Sequence, residues 1–175
     1  MKTQIFSGLL ALVISLCACT PKPEEEKKVS QSDFSGTLTQ EEIDNGRLTP
    51  EILWKFGRVG EQSLSPDAKT LIFTVTRYDA KTNESITDIY SVDVLGGENT
   101  VLTNSDGSYY NPRWTPDGKR IGYISTASGD AQLWEMSSDG SVSTQVSNVE
   151  GGINGFEYSP DGSKVFYLKD VKVKK

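Results

Sequence analysis

Three carboxylates recur at one place in a repeated phrase: Asp67 in Ser65-Pro66-Asp67-Ala68-Lys69, Asp117 in Thr115-Pro116-Asp117-Gly118-Lys119 and Asp161 in Ser159-Pro160-Asp161-Gly162-Ser163. Brought together they would form a carboxylate cluster, in which like charges oblige one acid to keep its proton. The flanking residues speak for a different role. Proline presets φ at the first central position of a turn, aspartate bonds its own backbone two residues on, and glycine accepts positive φ. Pro66, Asp67, Pro116, Asp117, Gly118, Pro160, Asp161 and Gly162 are therefore read as structural repeat turns.

Other catalytic chemistry is missing from this sequence. There is no histidine among the 175 residues, which removes a Ser-His-Asp triad, a histidine-containing metal site and an imidazole base. The G-x-S-x-G elbow, the P-loop, the G-x-G-x-x-G turn and the Ca²⁺-loop pattern are absent too. The expectation is a chain with no catalytic, cofactor-binding or metal-binding residues of its own. A net charge of −6 and a pI near 4.8 argue against nucleic acid as a partner, because phosphate binding rests on clustered Lys and Arg. Lys169, Lys172, Lys174 and Lys175 alternate with Val171 and Val173 and read as a strand cut short.

The turns must be positioned by something, and their spacing says what. Pro66 and Pro116 are 50 residues apart (116 − 66), and Pro116 and Pro160 are 44 apart (160 − 116), a period at which each repeat folds as one four-stranded propeller blade. After each turn comes a short β-branched and aromatic run: Leu71-Ile72-Phe73-Thr74-Val75, Ile121-Gly122-Tyr123-Ile124 and Val165-Phe166-Tyr167-Leu168. A second strand follows over Asp88-Ile89-Tyr90-Ser91-Val92-Asp93 and Gln132-Leu133-Trp134-Glu135-Met136. A last one follows over Thr100-Val101-Leu102-Thr103 and Thr144-Gln145-Val146-Ser147. The extra length of the first repeat, between Tyr78 and Thr87, is polar and reads as a longer rim loop. The fold class expected is all-β, a partial propeller of about two and a half four-stranded blades over 58–103, 104–147 and 148–175. Propellers close with typically four to eight blades, so the sequence reads as a truncated or partial copy of a longer protein.

The first residues have another task. Met1-Lys2 is basic, and the stretch from Ile5 to Leu16 is apolar except for Ser7, Gly8 and Ser15, the length of a signal-peptide core rather than a membrane span. Leu16-Cys17-Ala18-Cys19 then resembles the lipobox of bacterial lipoproteins, with Cys19 as the lipidated residue because Cys17 follows Leu16 where a small residue is required. Both cysteines lie here, so the mature domain holds no disulfide. Residues 1–18 are thus expected to be a signal peptide and 19–48, rich in Pro, Glu, Lys and Ser, a flexible tether. The propeller is expected over 49–175 and begins with a short helix: Thr49 caps, Pro50 takes the first position, Glu51 suits the positive end, Ile52, Leu53 and Phe56 supply an apolar face, and Gly57 ends it.

The residues Asn111-Pro112-Arg113-Trp114-Thr115-Pro116-Asp117-Gly118-Lys119-Arg120-Ile121-Gly122-Tyr123-Ile124-Ser125 followed by Gln132-Leu133-Trp134-Glu135-Met136 resemble the WD-like repeat of TolB propellers and of the N-terminal propellers of prolyl-oligopeptidase-family serine peptidases. The lead-in Leu48-Thr49-Pro50-Glu51-Ile52-Leu53-Trp54-Lys55-Phe56-Gly57-Arg58-Val59-Gly60 resembles the acylaminoacyl-peptidase and dipeptidyl-peptidase branch of that family. TolB itself carries a separate α/β domain ahead of its propeller, which the stretch between Cys19 and Thr49 is too short to hold. The resemblance implies a propeller that gates entry of short peptides to an α/β-hydrolase domain, with that domain supplying the catalytic residues. The lipobox resemblance implies a bacterial cell-envelope protein, anchored to the membrane through Cys19 on the periplasmic or cell-surface side. The competing expectation is a TolB-like periplasmic propeller acting as a non-catalytic protein-binding module.

Overall fold

The computed structural model describes residues 36–104 and 108–171. The expected signal peptide, Cys19 and the tether as far as residue 35 lie outside these, as do Lys172, Lys174 and Lys175. Two short helices lead in. In α1 (Gln40–Asn45) Thr39 and Glu42 form a reciprocal capping box and Gly46 closes the end at φ 59°. This helix lies within the span expected as tether: its ends are capped, and Glu42 takes an ion pair from Lys55 at 2.8 Å. α2 (Pro50–Lys55) starts as its sequence dictates, with the Thr49 hydroxyl accepting from the Ile52 N–H. It ends one residue sooner than expected, at Phe56, whose backbone is extended; Ile52 alone is buried, while Leu53 and Phe56 are exposed.

The body is all-β. β1 (Arg58–Leu64), β2 (Thr70–Asp79), β3 (Glu84–Asp93) and β4 (Thr100–Val101) form one antiparallel sheet in sequence order. β5 (Tyr109–Trp114), β6 (Arg120–Ser125), β7 (Gln132–Ser137) and β8 (Ser143–Gln145) repeat it, and β9 (Gly155–Tyr158) with β10 (Val165–Leu168) make a two-stranded third sheet. The architecture is a partial β-propeller of two blades and the first two strands of another. The polar stretch after Tyr78 is not a long loop. β2 and β3 stay in register out to Asp79 opposite Glu84, leaving a four-residue turn, so the extra residues lengthen the hairpin.

Packing between blades explains the apolar runs. In β6, Ile121 and Tyr123 point toward the first blade, joining Ile72, Ile89, Leu102, Tyr109 and Met136 in one buried cluster. Ile124 points the other way, onto Leu133, Ile153 and Phe156. Both faces of β6 are therefore covered, and a strand covered on both faces reads as a continuous apolar run instead of an alternating one. Gly122 fits the same geometry: a Cβ there would sit 2.3 Å from the Tyr158 hydroxyl oxygen of the third sheet.

The outermost strands are fastened by a hydroxyl that repeats with the fold. Thr103 donates to the fully buried Asp88 at 2.6 Å and accepts from the Ile89 N–H. Ser147 donates to buried Gln132 at 2.7 Å and accepts from the Leu133 N–H. Buried polar groups must be bonded in this way, since a group left without a partner costs about 1–3 kcal/mol. Ile121→Ala should lower unfolding free energy by about 2–5 kcal/mol, the usual loss for a buried aliphatic. Val142→Ala, at an exposed position, should change it by no more than about 0.5 kcal/mol. Urea titration of both variants checks the pair, and equal effects would contradict the packing.

Candidate functional site between the first strands

The first strands of the three sheets converge, and two of them are bulged there. β1 slips register between Val59 and Gln62, and β5 between Tyr110 and Arg113. A bulge re-aims side chains, and here it turns Glu61 of one blade toward Asn111 of the next. Asn111 sits at φ 53°, a left-handed conformation that asparagine tolerates better than most residues. Its backbone N–H donates to the Glu61 carboxylate, and its side-chain amide donates to the Phe156 carbonyl at 3.3 Å. One residue thus joins three sheets.

A second tier runs parallel to the first. The Trp114 backbone N–H donates to the Ser63 hydroxyl at 3.3 Å, and Arg113 donates from Nε to Glu157 at 3.1 Å and from Nη1 to the Pro112 carbonyl at 3.0 Å. Beside these groups lies a cavity of about 390 Å³ lined by Glu61, Tyr110, Asn111, Arg113, Phe156 and Glu157 together with β10. Burial, and then the Glu61 charge, push the Tyr110 hydroxyl above its ordinary value, so it stays a neutral donor. The set offers two carboxylates, a guanidinium, an amide and aromatic walls. That is equipment for holding a polar, extended ligand by charge and hydrogen bonds, and it contains no nucleophile paired with a base.

The turn residues singled out by the sequence fall elsewhere, each in its own exposed hairpin. Ser65 donates to Asp67 at 2.7 Å, Thr115 to Asp117 at 2.7 Å and Ser159 to Asp161 at 2.6 Å. Each carboxylate also accepts a backbone N–H two residues on, from Lys69, Lys119 and Ser163. The structure does not bring the three together into a cluster. A fourth turn of the same kind, Ser137 to Asp139 at 2.6 Å, joins β7 to β8. Among the described residues there is no group of three or more His, Cys, Asp or Glu placed to hold a metal. What the sequence reading missed is the rim itself. Glu61, Asn111 and Gly155 stand five residues before Pro66, Pro116 and Pro160, and Ser63, Arg113 and Glu157 stand three before, so the repeat register was the available signal.

The same repeat is visible in comparison with known proteins. Residues 44–174 match the TolB beta propeller domain family, PD40. The chain belongs to that family. It is 38% identical over 133 residues to dipeptidyl-peptidase 5 of Porphyromonas gingivalis, covering 76% of this chain and 17% of that protein. A solved structure from Agrobacterium tumefaciens assigned to TolB is 31% identical, with a TM-score of 0.54 over 63% of this chain and 38% of that one. The acylaminoacyl peptidase of Pyrococcus horikoshii shares the fold at 18% identity, with a TM-score of 0.54 over 65% of this chain and 17% of that one. The chain spans 17% and 20% of the length of the two dipeptidyl-peptidase 5 proteins it matches.

Two predictions follow from the turns of this TolB-family propeller. Ala68 holds φ 59° where the other repeats place Gly118 and Gly162, both at φ 69°. Ala68→Gly should therefore raise stability and Gly118→Ala lower it, each by about 1 kcal/mol, the strain of a left-handed non-glycine residue; the order of the two thermal midpoints checks this, and the reverse order would contradict it. The second concerns acid. Hydrogen bonds from Ser159 and then from the Ser163 backbone lower the Asp161 carboxyl from 3.8 to about 2, and those from Ser137 and Ser141 do the same for Asp139. A lowered folded value gives stability that is present above the unfolded value and lost as pH falls through the folded one. Thermal midpoints should thus fall between pH 3.8 and about 2, less steeply in Asp161→Asn, and a slope unchanged by that substitution would count against the turn geometry.

Proposed function

We propose that this chain is the propeller portion of an exported, lipid-anchored serine peptidase acting on short peptides, with the role of gating or scaffolding the catalytic part. The observation that carries the reading is the match to dipeptidyl-peptidase 5, at 38% identity over 133 residues. The inner rim supports it physically. A line of charged and amide groups across three neighbouring blades suits the polar backbone and ends of a short peptide. Under this reading residues 1–18 are a signal peptide, 19–48 a linker, 49–175 propeller, and Cys19 carries lipid that holds the protein in the bacterial cell envelope. No helix among the described residues is long and apolar enough to cross a membrane.

The chain as it stands has no general base of the histidine kind, and triad enzymes stripped of that base lose about 10⁴- to 10⁶-fold in rate. The 175-residue product should not turn over dipeptidyl or acyl-aminoacyl reporter substrates above a buffer blank, and a fluorophosphonate probe should label nothing. Hydrolysis abolished by mutating one of the chain's own serines would overturn the reading. Anchoring has its own test: Cys19→Ala should move the protein out of the membrane fraction while Cys17→Ala leaves it there. An unmodified mature N-terminus found elsewhere by mass spectrometry would sink the anchor. The 31% identity to the Agrobacterium tumefaciens protein favours a second reading, a TolB-like periplasmic module that binds another protein without catalysis.

A further inference from the structure

The first blade departs from the second in two places: the helix α2 leads into it, and its β2–β3 hairpin is longer than the β6–β7 hairpin. Both departures meet at Arg58. Trp54 of α2 and Tyr78 of the lengthened hairpin stand edge-on to each other at 5.8 Å, and the Arg58 guanidinium lies 4.9 Å from the first ring centre and 4.4 Å from the second. Such cation–π contacts hold a guanidinium in place and leave the N–H groups at its edge open. The other arginines of the strands use theirs. Arg77 donates to the Tyr90 hydroxyl at 2.8 Å, Arg113 donates to Glu157 and to the Pro112 carbonyl, and Arg120 faces Glu135 at 3.7 Å. Among the described residues the Arg58 guanidinium has no hydrogen-bond acceptor and no carboxylate at ion-pair distance.

The repeat itself keeps this position open. Ser108 stands 50 residues after Arg58 (108 − 58), as Pro116 does after Pro66, and it is exposed although its blade packs against a sheet on either face. Arg58 also lies on a first strand, the kind that carries the polar rim, three residues and about 10 Å ahead of Glu61. We propose that Arg58, backed by Trp54 and Tyr78, is a binding site for a peptide carboxylate, from the C-terminus or from an Asp or Glu side chain. A planar guanidinium matches a carboxylate through two parallel N–H···O bonds, and rings that fix it beforehand lower the entropy lost on binding. A lone cation in a chain of net charge −6 suits a singly charged carboxylate better than a phosphate or a polyanion. The short peptide as ligand rests on the proposed function, and within it Arg58 is the residue that reads negative charge.

The test titrates the full 175-residue chain, extracted in neutral detergent, by calorimetry at low salt. The probes are N-acetyl-Ala-Ala-Ala as the free acid, the same peptide as its C-terminal amide, and N-acetyl-Ala-Ala-Glu as the amide. Binding of the free acid assigns the C-terminal carboxylate, and binding of the Glu amide assigns the side chain. The neutral amide should bind about tenfold more weakly, or worse, than whichever acid is held. Arg58→Gln should weaken that acid about ten- to a hundredfold, and Arg58→Lys about three- to tenfold, because an ammonium keeps the charge but not the fork. Tyr78→Leu should weaken it about two- to fivefold through the lost ring. Arg47→Gln, which removes an exposed positive charge of the lead-in, should leave it unchanged. Binding of neither acid, equal binding of the neutral amide, or full affinity in Arg58→Gln would overturn the site. Hydrolysis plays no part in the readout, so loss of the peptidase reading would leave a carboxylate site standing, and a silent titration would remove the site alone.

Discussion

Face-to-face packing of neighbouring sheets is the constraint on which the rest depends. A single four-stranded sheet of this size cannot cover its own faces, so the second strand of each repeat is apolar on both sides and needs a blade on each. β6 meets that demand, with Ile121 and Tyr123 against one neighbour and Ile124 against the other. The turns, the hydroxyl that fastens each last strand, and the glycine at 122 all serve to keep the sheets at that spacing. The lead-in helices are subordinate to it: α2 is held through Ile52 and an edge-on contact of Trp54 with Tyr78 at 5.8 Å.

How much of this could be read from the sequence follows from the same constraint. The doubly covered strands were legible because burial on both faces leaves a dense β-branched and aromatic run, as in Ile72-Phe73-Thr74-Val75. The turns were legible because proline, aspartate and glycine each answer a particular φ/ψ demand. The strands ahead of each turn were harder to see. β1 is exposed along nearly its whole length, and β5 contains Pro112, a residue that ordinarily argues against a strand. α1 was hidden in a charged stretch whose composition looks disordered, though Thr39 and Glu42 stand at capping-box spacing. The polar residues after Tyr78 were read as loop because hairpin extension by cross-strand pairing leaves no apolar signature.

The candidate site was the least legible part, and for a physical reason. Glu61, Asn111, Arg113 and Glu157 gain meaning only when bulges in two strands aim them across blade boundaries, which composition and spacing do not announce. Once placed, they form a tie between sheets and a polar wall at once. Under the proposed function, a rim of that kind would pass or hold peptides. The repeat turns, by contrast, keep their aspartates apart and bonded to their own backbones.

The central proposal is that this propeller serves a serine peptidase, and the DNA beyond the codon for Lys175 tests it most directly. The account predicts a continuation, in frame or after one frameshift, that encodes further blades with the same turn and then a G-x-S-x-G elbow followed by Asp and His in that order. A continuation of blades with no such elbow, or downstream DNA unrelated to either, would contradict it.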